Sequence, residues 1–212
     1  MFDLAGKIQE LIVLVPVFLL ALTIHEYAHG WTANRLGDPT ARLQGRLTLN
    51  PLAHLDPIGT LAIVLIGFGW AKPVPVDSRH LKNPRRDMVL IAAAGPASNL
   101  LLAAASALCF RMVPWTAIDR EWAWLFVPVQ IMLLIAVKAN VVLAVFNLIP
   151  VPPLDGSRVV SGLLPLRQAI SYSRLEPYGF LIIFFLFFTG IMNPVFGLAE
   201  HTVTRALLRM WG

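Results

Sequence analysis

The chain has 212 residues, 57% of them hydrophobic and 14% charged, against roughly 25% charged in a soluble domain, so its composition is that of a protein immersed in lipid. The formal charge of +5 does not point to nucleic acid, because the arginines and lysines lie in short loops between apolar runs rather than along one patch. A single cysteine, Cys109, excludes an internal disulfide and a thiolate metal site, and no hydrophilic stretch reaches the ~50 residues of an appended soluble domain, so residues 1–212 read as one domain.

Apolar runs extend from Leu11 to Ala33, Ile58 to Trp70, Met88 to Val113, Leu125 to Ile149 and Tyr178 to Val195. The first continues too far for a cleaved signal peptide. A crossing helix needs about 20 apolar residues, whereas a run of about 10 to 14 is re-entrant or interfacial, so the Ile58 to Trp70 run is not expected to cross. Its Ile, Val and Gly content, with Lys72, Pro73 and Pro75 directly behind it, suits an extended loop or short hairpin better than a helix. The fold class is therefore an all-α polytopic membrane protein of about four transmembrane helices, with a short re-entrant or β-like element between the first two.

Charge orients these segments. Arg35, Arg42, Arg46, Lys72, Arg79, Lys82, Arg85 and Arg86 lie between the first and third runs, which places that stretch on the cytoplasmic side. If the short run does not cross, the loop with Arg158, Arg167 and Arg174 is cytoplasmic too, and the Asp119 to Glu121 loop and both termini lie outside.

Within the first run stands His25-Glu26-Tyr27-Ala28-His29. Residues four apart on a helix share one face about 6 Å apart, so both imidazoles can bind one metal ion with the glutamate beside it. Two histidines and a glutamate in a lipid-spanning segment are costly without partners or a purpose, and function is the default reading. The alternative, buried histidines bonded to neighbouring carbonyls, suits one such residue better than this trio.

A catalytic zinc takes three protein ligands and keeps one position open, so a third must come from elsewhere. Asp155 is the best candidate, in Asn147-Leu148-Ile149-Pro150-Val151-Pro152-Pro153-Leu154-Asp155-Gly156. Its prolines break a helix and leave carbonyls without donors, which is tolerated at membrane depth only where the chain is protein-buried or lines a wet cavity; an ordinary turn before Gly156 is the alternative. His29 and Asp155 can meet only if an even number of crossings separates them, which again requires that the Ile58 to Trp70 run not span. At 1.5 Å per residue His25 lies roughly 12 Å from the cytoplasmic end of its run.

Other polar residues are weighed against the site. His54 and Asp56, two apart, would sit on opposite sides of a helix, and turn or cap bonding competes with a catalytic or gating role. His80 and His201 read as solvated. Lys138, mid-segment, is either functional or engaged in snorkelling or a helix–helix hydrogen bond. Asn99 and Asn140 suit interhelical hydrogen bonds. Asn99 is the better candidate for supporting the site, and Asn99 and His54 are the candidate substrate-contacting residues.

Together these residues resemble the site-2 protease family of intramembrane zinc metalloproteases, in its compact branch. The resemblance is carried by the His25 to His29 motif and the Asn147 to Gly156 stretch. It extends to Leu49-Asn50-Pro51-Leu52-Ala53-His54-Leu55-Asp56-Pro57, to the Gly69 to Val76 turn and to Gly95-Pro96-Ala97-Ser98-Asn99. It spans a catalytic core of about residues 11–164; the C-terminal helix and tail, 178–212, match only in general character. The resemblance implies that His25, His29 and Asp155 bind one Zn2+, that Glu26 is the general base, and that Asn147 stabilises the oxyanion. It implies that the extended stretch between the first two long helices, about Ile58 to Val76, holds substrate as an added strand. It further implies a multi-pass endopeptidase of a prokaryotic cell membrane, without PDZ or CBS domains, cleaving single-span membrane proteins within or near their transmembrane segment toward the cytoplasmic side. A non-proteolytic membrane scaffold or chaperone and a metal transporter are the competing readings.

Overall fold

Backbone in lipid must satisfy its hydrogen bonds within its own segment, and the long apolar runs fold accordingly. The computed structural model describes residues 4–66 and 69–209. Its principal helices are α1 (Leu4–Leu36), α2 (Pro57–Ile66), α3 (Pro84–Met112), α4 (Ala123–Asn147) and α5 (Asp155–Leu163). After them come α6 (Leu166–Ser173), α7 (Gly179–Phe188), α8 (Asn193–Ala199) and α9 (Arg205–Arg209). Four stretches are long and apolar enough to cross a membrane: Leu11–Leu36, Pro84–Met112, Arg120–Asn147 and Leu166–Phe188.

The last of these differs from the expected Tyr178 to Val195. α7 stops because Gly190 adopts a φ of +69°, a left-handed conformation that costs glycine little. The chain then restarts as α8 with a proline in its first turn. The candidate span instead takes in α6 and the 3-10 turn Glu176–Tyr178.

The stretch after Asp56 also differs, being helical where an extended form was expected. Asp56 accepts a hydrogen bond from the Gly59 N–H at 2.8 Å, the geometry of an N-cap, and Pro57 supplies the first helical residue. At ten residues α2 is about 15 Å long, half of a hydrocarbon core of about 30 Å, so it does not cross. Among the described residues the β-like character is confined to one antiparallel bridge, Leu55 to Ala71. Gly67 and Phe68, within the same expected element, lie outside the described residues.

Polar residues share the interior with apolar ones, and many large apolar side chains lie on the outside. Asn99 and Asn140 are fully buried, whereas Leu101 is 72% exposed and Leu181 67%. α3 packs between α1 and α4, and the buried contacts include Ala21, Ala33, Ala92, Ala103, Ala107, Ala139 and Ala144. Small residues let helix backbones approach where lipid supplies no hydrophobic drive. Across this seam the Asn99 amide donates to the Asn140 carbonyl oxygen at 2.8 Å.

Lys138 makes a contact between helical segments. Its ammonium pairs with Glu200 at 3.0 Å, tying the C-terminal segment to α4, while Arg111 donates to the Leu208 carbonyl at 2.7 Å and ties the same segment to α3.

At the other end of this segment, a Cβ on Gly179 would collide with the Pro152 carbonyl. That neighbour is backbone, so relief requires moving the chain. Gly179→Ala is expected to lower the thermal midpoint of the detergent-solubilised protein, followed by tryptophan fluorescence. Gly197→Ala, where a Cβ meets nothing within 4 Å, should leave it unchanged or raise it.

Candidate metal and catalytic centre

α1 carries His25 and His29 one turn apart, and their Nε2 atoms lie 3.0 Å from each other. Asp155, the first residue of α5, brings its Oδ2 to 3.1 Å from His25 Nε2 and 3.2 Å from His29 Nε2. All three side chains are buried. The junction is close-packed: a Cβ on Gly156 would strike the Leu148 and Ile149 carbonyls, so glycine there lets the broken end of α4 fold against the start of α5.

The opposite ring nitrogens determine what these atoms can do. His25 Nδ1 donates to the Asn99 carbonyl oxygen at 2.6 Å and His29 Nδ1 to the Ile91 carbonyl at 2.7 Å. Asn99 is itself oriented, since its amide nitrogen donates to Ala21 O at 3.2 Å and to Asn140. Both rings in their neutral form therefore turn an Nε2 lone pair inward, and Asp155 Oδ2 has no hydrogen-bond donor. Three buried acceptors 3.0–3.2 Å apart repel one another unless a cation lies among them.

The set fits zinc. Two imidazole nitrogens and one carboxylate oxygen are zinc donors, and zinc bonds of about 2.0–2.1 Å in tetrahedral geometry place ligand atoms about 3.3 Å apart, close to the triangle observed. The three residues are also the group of His, Cys, Asp and Glu side chains able to converge on one ion among the described residues.

Glu26 is buried beside the triad, its Oε2 accepting from the Val74 N–H at 2.9 Å. Asn147 ends α4 half-buried, its amide donating back to Leu143 O at 3.0 Å. Asn99 stands behind His25 with no exposed surface, so it supports the triad and does not present itself to a substrate. His54 is likewise fully buried, and its Nε2 donates to Thr48 O at 2.8 Å, the turn bonding weighed against a substrate contact. His80 is half-exposed against Asp38, and His201 is exposed.

Gly95, which the sequence offers only as part of the Gly95 to Asn99 motif, has a role of its own at the site. A Cβ there would run into His25 and His29, so glycine is what admits α3, with Ile91 and Asn99, to the back of the triad. The signal lay in the sequence as Gly95-Pro96, inside an otherwise continuous apolar run.

Comparison with known proteins matches residues 121–190 to peptidase family M50. A Bacillus subtilis protein named as a zinc metalloprotease, YwhC, is 44% identical over 183 residues, covering 86% of this chain and 83% of its own. The chain belongs to peptidase family M50. Proteins named as zinc metalloprotease Rip2 are also similar: that of Mycolicibacterium smegmatis is 30% identical over 190 residues, 87% of this chain and 70% of its own. That of Mycobacterium tuberculosis is 27% identical over 219 residues, 94% of this chain and 81% of its own. No solved structure matches the chain. Membership of family M50 bears out the site-2 protease resemblance: this is a zinc metalloendopeptidase in a multi-pass membrane protein.

In this M50 enzyme the support behind the triad is open to test. Asn99→Ala removes the acceptor that holds His25, and losing such a partner typically costs about 10–100-fold in metal affinity. Chelator competition on the purified protein should show that loss, and Gly95→Ala should show a comparable one by displacing both rings.

Proposed function

We propose that His25, His29 and Asp155 bind one Zn2+, and that Glu26 and Asn147 carry out hydrolysis of peptide bonds in or beside the transmembrane segment of single-span membrane proteins, toward the cytoplasmic side. The observation that carries the reading is the cluster of three buried lone pairs with no donor among them, beside a buried carboxylate in a lipid-embedded bundle. Zinc bound there acidifies a water molecule and polarises the scissile carbonyl.

Glu26 accepts the proton as the water attacks and later delivers it to the leaving amine. Asn147 uses only one contact for its own helix, so its second N–H is available to the developing oxyanion. Burial of His25, Glu26, His29 and Asp155 limits competing water and strengthens each of these interactions. The cytoplasmic side is supported by the basic residues from Arg35 to Arg86 around the connection between the first two candidate spans. His29 lies seven residues before the end of α1 at Leu36, about 10 Å by helix rise.

Glu26→Gln keeps the size of the side chain and removes the base. With the enzyme and a single-span substrate reconstituted in liposomes, cleavage is expected to fall by about 10³-fold while zinc content stays at one per chain; undiminished cleavage would end the proposal. Asn147→Ala should lower kcat by about 10²-fold with little change in KM. Mass spectrometry of the wild-type products should place the cut in the cytoplasmic half of the substrate's span.

A further inference from the structure

The Val74 N–H that reaches Glu26 Oε2 belongs to Lys72–Asp77, a stretch without helix or strand between the Leu55 to Ala71 bridge and the 3-10 turn Ser78–His80. Both of its ends are pinned. The Lys72 N–H donates to the His54 carbonyl at 2.9 Å, and the Arg46 guanidinium donates to the Lys72 carbonyl at 2.8 Å. At the far end the Asp77 N–H donates to Asp38 Oδ2 at 2.7 Å. Asp38, fully buried, takes the Thr40 N–H at 3.0 Å on its other oxygen. Between these anchors the buried Val74 side chain lies over Gly30, where a Cβ would come within 3.1 Å of Val74 Cγ1.

The backbone donors of this stretch are nearly all engaged. Pro73 and Pro75 have no N–H. The N–H groups of Lys72, Val74 and Asp77 are spent on His54, Glu26 and Asp38. Only Val76 retains a donor without an acceptor among the described residues. An added strand needs alternating donors and acceptors along the edge it pairs with, so Lys72–Asp77 is a poor template for substrate. It is well formed as a fixed support that delivers one N–H to one carboxylate oxygen.

We propose that Lys72–Asp77 is a positioning strap for the catalytic glutamate. Val74 holds Oε2 in place and leaves Oε1 as the working oxygen, while Asp38, outside the ligand set, acts as a positioning residue by anchoring Asp77. The inference rests on Glu26 being the base. Anchorage at both ends, and a side chain seated in the space left by Gly30, mark the strap as a fixed element of the active enzyme and not as a cover that must leave before catalysis.

Val74→Pro tests this directly, because it removes the N–H while keeping an extended backbone between two prolines. Val74→Ala keeps the donor. With reconstituted enzyme and single-span substrate, Val74→Pro is expected to lower kcat about tenfold or more, the scale of a hydrogen bond to a charged group, with KM within about twofold and zinc content unchanged. Val74→Ala should restore kcat to within about threefold of wild type. A second measurement does not depend on activity: hydrogen–deuterium exchange of the zinc-loaded protein should show the Val74 amide exchanging faster in Glu26→Ala and in Asp38→Ala. Unchanged or raised kcat in Val74→Pro, or unaltered exchange at Val74 in Glu26→Ala, would overturn the strap. If Glu26→Gln abolishes cleavage and Val74→Pro does not reduce it, the strap fails alone. If Glu26→Gln remains active, the base assignment fails first.

Discussion

Three lone pairs directed at one point, inside a protein surrounded by lipid, are the constraint on which the remainder of the structure depends. His25 and His29 Nε2 and Asp155 Oδ2 lie 3.0–3.2 Å apart, and no protein donor lies among them. Such a cluster is tolerable only with a cation at its centre and with each group held from behind. The holding is visible: Asn99 and the Ile91 carbonyl take the outward N–H of each ring, and Asn140 and Ala21 in turn orient Asn99. A metal site depends on such outer partners for both ring orientation and ligand basicity.

The bundle around the site follows from the same need. Polar groups such as Asn99 and Asn140 share the interior with small and branched apolar residues, while many large apolar side chains face outward. Alanines along the α1, α3 and α4 contacts permit the close backbone approach that puts α3 behind the imidazoles, and Gly95 removes the one Cβ that would block it. From the other side, Gly156 lets the proline-broken end of α4 fold tightly against α5, which delivers Asp155 to the triad.

Next to the membrane-embedded site is a polar hub centred on Asp38. Burial pushes this carboxyl upward, but hydrogen bonds from Thr40 and the Asp77 N–H outweigh it and hold the group below its ordinary value of 3.8. The native state therefore favours the carboxylate, and the stabilisation from this hub is present above that ordinary value and declines as pH falls below it. Asp38 ties the residues just after α1 to those just before α3, so the position of the strap relative to Glu26 is fixed by contacts on both sides of the long connection between them.

The lipid environment, the existence of the long spans, the facing of His25 and His29, and the choice of Asp155 are all legible in the residues alone, because each rests on local composition, helical period or a crossing count. The sequence also contained the Asp56-Pro57 cap, which β-propensity in the following residues obscured. That Asn99 lies behind His25, that Gly95 makes room for it, that Lys138 finds Glu200, and that Val74 binds Glu26 is visible only once the chain is packed. Those contacts join residues far apart in the chain, and each depends on how closely two backbones approach. That distance is set by the summed shapes of many side chains, which no spacing within a single segment encodes.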